Sequence, residues 1–199
     1  MTWDNLAPLV VFALVSTVTP GGATTLVTAS GARFGYRRSV PLMAGITAGL
    51  AGLAAAAAVG LASLILAAPS LQLAMKIAGS GYFLWLAWRI GRSGAPDLKT
   101  EMATPTGFAG GALLLLLNPK GWAMALAAAA SFAMLANGPL QLAVLLGSVL
   151  GLASAFSLSL WCLAGLMLAQ MLKTERQWRM LNVALGLALA VSIVPMWRQ

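Results

Sequence analysis

The chain is 199 residues long, with 60% apolar residues, only 8% charged residues and a net charge of +8. A soluble domain is usually about 25% charged. Twelve basic and four acidic residues cannot clothe a water-soluble globule of this size, and a mean hydropathy of +0.90 agrees. One Cys and no His argue against a disulfide scaffold, an all-protein His/Cys metal site and His-based acid–base catalysis. The cations lie between long uncharged runs instead of clustering on one face, which argues against nucleic acid as a partner. The composition is that of an integral membrane protein, with the lipid bilayer as its surroundings.

A helix crossing the hydrocarbon core needs about 20 apolar residues. Span one covers Leu6–Ser30 and is read as a retained span, because its flank has only Asp4 where a signal peptide has basic residues. Span two is Val40–Ala67, separated at Ala68-Pro69-Ser70 from span three, Leu71–Ile90. A polar stretch over 93–106 follows. Span four is Phe108–Met134, span five Leu140–Leu172 and span six Arg179–Met196. Spans four and five are parted by Asn137-Gly138-Pro139, which is strong turn chemistry. The fold class is all-α: a polytopic membrane protein with six transmembrane helices.

Lys and Arg in short loops set the orientation. Arg33, Arg37 and Arg38 follow span one; Arg89, Arg92 and Lys99 surround the loop after span three; Lys173, Arg176 and Arg179 follow span five. The loops after spans two and four have none, and Arg198 stands alone on the other side. Odd-numbered loops are therefore expected in the cytoplasm and both termini outside the cell membrane. Trp3, Trp85, Trp88, Trp178 and Trp197 fall near the expected interfaces, as an aromatic belt does. Trp122 and Trp161 do not, and are open to two readings, plain packing or the lining of a cavity.

Segments 1–92 and 107–199 each hold three spans, joined by the 93–106 linker, so the halves must face opposite ways. Span one contains Thr19-Pro20-Gly21-Gly22 and span four contains Asn118-Pro119-Lys120-Gly121, and Gly45-x-x-x-Gly49 in span two is echoed by Gly147-x-x-x-Gly151 in span five. Paired Pro-interrupted segments at corresponding positions point to a transporter's midplane site. Proline removes a backbone donor and breaks the helix. Thr19 and Asn118 are good N-cap residues, with Pro20 and Pro119 suited to the first helical position. Two half-helix N-termini would then meet with positive dipole ends that suit an anion or carboxylate. The plain alternative is a pair of kinks repaired by Thr and Asn side chains.

Two lysines lie within spans. Lys76 is about six residues from the outer end of span three, roughly 9 Å at the helical rise, where it either snorkels outward or serves the pathway. Lys120 is about 12 residues inside span four, roughly 18 Å deep. A cation there costs at least about 2.5–3.5 kcal/mol and needs a polar cavity or partner. No Asp or Glu lies inside any expected span, so the missing counter-ion of Lys120 is read as the substrate.

Ser16, Thr17 and Thr19 precede the first break and either offer hydroxyls to a substrate or bond back to their own helix. Ser154, Ser157 and Ser159 make span five mildly polar, as a pathway or as interhelical bonding. The GxxxG pairs read as packing faces, with a homodimer as the lesser alternative, and Cys162 as a small buried hydrophobe. No nucleophile–base pair, metal cluster or nucleotide loop is visible, so neither an enzyme nor a bound cofactor is expected.

These elements, taken in order, resemble a known family. Pro20-Gly21-Gly22 looks like the Pro-Gly-Pro element of the lysine exporter / homoserine–threonine resistance (LysE/RhtB) family. Gly31-x-x-x-Gly35-Tyr36-Arg37-Arg38, then Lys76-x-x-Gly79-x-x-Tyr82-x-x-Trp85-x-x-Trp88, and Asn118-Pro119-Lys120 follow as they do there. The resemblance implies amino-acid export across the bacterial inner membrane, coupled to protons or the membrane potential. It also implies functional positions at Pro20, Gly21, Asn118, Pro119 and Lys120. Two departures stand out: Gly22 replaces the family's second proline, and Ser154 falls near an acidic residue that many relatives carry. Without that acid, a neutral amino acid or related small carboxylate is a better expectation than lysine. The expected substrate site is Thr17, Thr19, Pro20, Gly21, Gly22, Asn118, Pro119 and Lys120, with Lys120, Lys76 and Ser154 as coupling or pathway residues. A passive small-anion channel and a non-transporting accessory subunit are the rival expectations.

Overall fold

A computed structural model describes residues 3–60, 69–92 and 105–197. Most of the 93–106 linker lies outside these. The described chain is built from helices: α1 (Trp3–Val18), α2 (Gly22–Ala58), α3 (Pro69–Gly91), α4 (Phe108–Leu116), α5 (Pro119–Ser131), α6 (Pro139–Met171), α7 (Glu175–Val191) and a short α8 (Val194–Trp197). No strand occurs among the described residues. α2 and α6 are each long and apolar enough to cross a membrane, and α4 with α5 passes the same test as one span bent by 67°. The outward side chains are as apolar as the core: Leu140 and Leu152 are 77% and 73% exposed. Water would not tolerate that surface; acyl chains would.

The expected break in span one is present, between the end of α1 at Val18 and the start of α2 at Gly22. Span four breaks as expected at Asn118-Pro119. The turn at Asn137-Gly138-Pro139 also holds, with Gly138 capping α6 and Pro139 opening it. The loop expected after span one takes a tighter form. α2 runs on through Arg33, Arg37 and Arg38 and turns only at Gly35, whose φ of 77° and ψ of 174° suit glycine alone. Ser39 pins this bend: its hydroxyl donates to the Gly35 carbonyl at 2.9 Å and pairs with the Ser30 hydroxyl at 2.7 Å.

α2 is the spine of the fold. It packs along α6, then against α4 and α5, while α3 packs on α7. Lipid tails are as apolar as leucine, so close backbone approach through small residues holds such helices together. At the α2–α4 crossing, a Cβ on Gly45 would strike the Phe108 carbonyl and one on Gly111 the Leu42 carbonyl. At the α2–α6 crossing, Gly31 faces the Cys162 carbonyl and Gly165 the Thr28 carbonyl. Gly49 meets Leu115, and Gly147 and Gly151 meet Ala51. Both GxxxG pairs thus face neighbours within the chain. Between these crossings Ile46, Leu50, Leu114, Leu146 and Leu150 form a closed core.

Candidate functional site

The two helix breaks meet each other. At the second, Asn118 is the N-cap of α5: its side chain accepts from the Lys120 N–H at 3.0 Å, and Pro119 takes the first helical position. This is the local chemistry expected from Asn-Pro-Lys. At the first break the cap is Gly21, not Thr19, and the helix starts at Gly22. The Thr19 hydroxyl bonds back to the Val15 carbonyl at 2.6 Å, so it has left the α2 cap vacant. Thr24 replaces it from one turn inside, accepting from the Gly21 N–H at 2.8 Å and donating to the Gly21 carbonyl at 2.9 Å.

Lys120 joins the breaks. Its ammonium donates to the Thr19 carbonyl at 2.6 Å, and a Cβ on Gly21 would lie 3.5 Å from its Cδ. That is ordinary contact distance, so the lysine chain lies directly against the first break. Beside this contact lies a cavity of about 380 Å3 lined by Pro20, Gly21, Gly22, Asn118, Pro119 and Lys120. Small-molecule sites fall at roughly 300–1,000 Å3. Six of the eight expected substrate residues share this one wall. Of the other two, Thr17 lines an adjoining recess of about 40 Å3 with Ser154 and Ser157, while Thr19 contributes its carbonyl to Lys120. The Lys76 side chain lies outside the described residues.

The last carbonyls of α1 have side-chain donors from the second half of the chain. Ser157 donates to Thr17 at 2.8 Å, Trp161 Nε1 to Val18 at 3.1 Å and Lys120 to Thr19 at 2.6 Å. Trp122 Nε1 does the same for α4, donating to the Leu116 carbonyl at 2.8 Å. The open question over Trp122 and Trp161 therefore has a third answer: they cap broken helices. A helix end in a membrane leaves carbonyls that no water satisfies, and indole N–H groups close to a break are the sequence signal for this role. Ser16 and Thr17 bond back to their own helix, through the Phe12 and Ala13 carbonyls. Their hydroxyls then present lone pairs, not protons, toward the cavities. Phe12, Met124 and Ser192, which also line the main cavity, were missed because no break or motif marks them.

A helical chain with a lipid-compatible exterior, whose Lys120 faces a cavity where two helix breaks meet, is in class a membrane transporter. Its cavity wall combines the Lys120 ammonium with the start of α2, groups whose charge complements an anion. The chain belongs to the family of LysE type translocators, which it matches over residues 14–193. Among curated proteins, the cysteine/O-acetylserine efflux protein of Salmonella paratyphi A is 27% identical over 194 residues, covering 98% of both chains. The protein of the same description from Escherichia coli strain K12 is 26% identical over an equal stretch. No solved structure matches the chain significantly.

Proposed function

We propose that the protein exports neutral amino acids or related small carboxylates from the cytoplasm across the inner membrane by alternating access. In this reading the chain forms six spans, as two inverted three-helix repeats over 1–92 and 107–199 with the 93–106 linker on the cytoplasmic side and both termini outside. The observation that carries it is the placement of Lys120, a cation bridging the two broken helices beside a cavity of amino-acid size. Efflux of cysteine and O-acetylserine by relatives that align end to end makes these two solutes the first substrates to test.

The geometry suggests how a zwitterion is held. A substrate entering between Lys120 and Thr19 gives its carboxylate to the lysine ammonium. Its own ammonium takes the Thr19 carbonyl that Lys120 releases, with the Thr17 and Ser16 hydroxyl lone pairs close by. The first turn of α2, Gly22 to Thr24, adds N–H groups that a helix start cannot satisfy internally. One charged hydrogen bond is thus exchanged for two, and the link between the breaks passes through the substrate. That would tie occupancy to relative motion of the halves. With Ser154 near the place where the family resemblance implies an acid, Lys120 is the residue left to respond to protons or the membrane potential.

The test is counterflow in proteoliposomes with labelled cysteine, O-acetylserine, alanine and lysine. Saturable exchange of the neutral solutes, lost in Lys120→Ala, is the expected result. Unsaturable flux would favour a channel, and no flux of any solute would favour an accessory subunit.

A further inference from the structure

A second cavity, of about 90 Å3, lies between α2, α3 and α7 at the end of the molecule where the arginines gather. Its polar lining is Ser30, Arg33, Arg89, Thr106 and Asn182. Arg33 and Arg89 both line it, which makes the cavity wall electropositive. Nη1 of Arg33 is buried and has no hydrogen-bond partner among them, and such a nitrogen carries a desolvation cost until an acceptor arrives. A guanidinium is also the side chain whose donors match an oxyanion.

The cavity is aligned with the central site. Gly22, Leu26, Ala29, Ser30 and Arg33 follow one another at helical spacing on a single face of α2. Gly22 lines the central cavity, and the other four line the second. The eleven helical steps from Gly22 to Arg33 span roughly 16 Å at the helical rise. α3 runs alongside over Phe83, Leu86 and Ile90: the fully buried Phe83 ring closes on Gly22, while Leu86 and Ile90 line the second cavity. Asn182 on α7 faces the outer cavity, and Ser192 at the α7 C-cap faces the central one. α2 and α7 with its C-cap therefore line both cavities in the same order, and Phe83 of α3 packs on Gly22 beside them.

The geometry points to a second carboxylate site at Arg33, a cytoplasmic vestibule whose small cavity takes the carboxylate end of the outgoing amino acid before it passes Phe83 to Lys120. This rests on the export reading above and on the arginine-rich end facing the cytoplasm. Arg33, backed by Arg89, takes the carboxylate, and Ser30, Thr106 and Asn182 supply polar partners for the rest of the ligand.

The test separates the two sites. A Thr106→Cys reporter is made in a Cys162→Ala background, reconstituted in phosphatidylcholine and labelled from the arginine-rich side with a charged thiol reagent. O-acetylserine, acetate and inorganic phosphate are tried as protectants. O-acetylserine and acetate should slow labelling several-fold, equally well after Lys120→Ala, and not after Arg33→Gln. In transport, Arg33→Gln should raise KM from the arginine-rich side on the order of tenfold, the loss of one charged hydrogen bond. KM from the opposite side should be unchanged, and Arg33→Lys should recover part of the loss. Protection abolished by Lys120→Ala but kept by Arg33→Gln overturns the proposal, as does an equal change of KM from both sides. It is also overturned if protection needs added phosphatidylglycerol and no solute, or phosphate alone. If wild-type protein moves no amino acid yet Arg33-dependent protection by acetate persists, the export reading fails and the anion site stands.

Discussion

Replacing Lys120 with methionine separates its cost to the fold from its use in transport. Methionine keeps an unbranched chain and removes the charge. A cation near the bilayer centre costs at least about 2.5–3.5 kcal/mol. Its hydrogen bond to the Thr19 carbonyl at 2.6 Å is of the charged kind, worth about 1.5–3 kcal/mol. The two nearly cancel. Lys120→Met should therefore fold within about 1–2 kcal/mol of wild type by these same figures. A substrate carboxylate that loses the same kind of contact should bind about 10- to 150-fold more weakly. Counterflow of O-acetylserine across a concentration series, beside thermal unfolding in detergent, reads both quantities. Transport within twofold of wild type would refute the site. A collapse in folded yield would make Lys120 a structural tether and refute the cancellation.

Gly45→Ala and Gly165→Ala drive a Cβ into the backbone of the neighbouring helix and should leave little folded protein. Gly52→Ala, which meets open space, should be neutral or slightly stabilising, as alanine is the better helix former by about 1 kcal/mol; folded yield by size-exclusion chromatography compares the three. Asn118→Ala removes the cap on α5 and should cost about 1 kcal/mol, with Asn118→Ser recovering most of it in thermal unfolding. Ser157→Ala leaves the buried Thr17 carbonyl without its donor and should lower stability by about 1–3 kcal/mol, more than Ser159→Ala. Gly35→Ala places a side chain at φ 77° with nothing nearby to strike. Its cost should be conformational only, about 1–3 kcal/mol, seen as a lower melting temperature with export kinetics otherwise retained.

Much of the site could be read without coordinates. Apolar run length and the lone depth of Lys120 follow from the solvent: in hydrocarbon, a charge or a proline mid-span must be explained by something local. Asn118-Pro119 is such a local signal, and it capped α5 as its chemistry requires. Thr19 illustrates the limit, because one hydroxyl can cap the next helix or bond back to its own, and only the path of the chain after Pro20 selects between them. Nor does any local rule bring Ser157 and Trp161 to the end of α1, since those pairs are separated by 140 and 143 residues.

Composition and spacing thus determined the membrane setting, the two breaks and the residues around them, because propensity, capping and desolvation act within a turn or two of chain. The tertiary structure decided that the breaks meet through Lys120 and that glycines at the α2 crossings hold them there. It also decided that Arg33 and Arg89, far apart in sequence, share one cavity. Contacts of that kind depend on how helices pack against one another, and no single segment of the chain contains both partners.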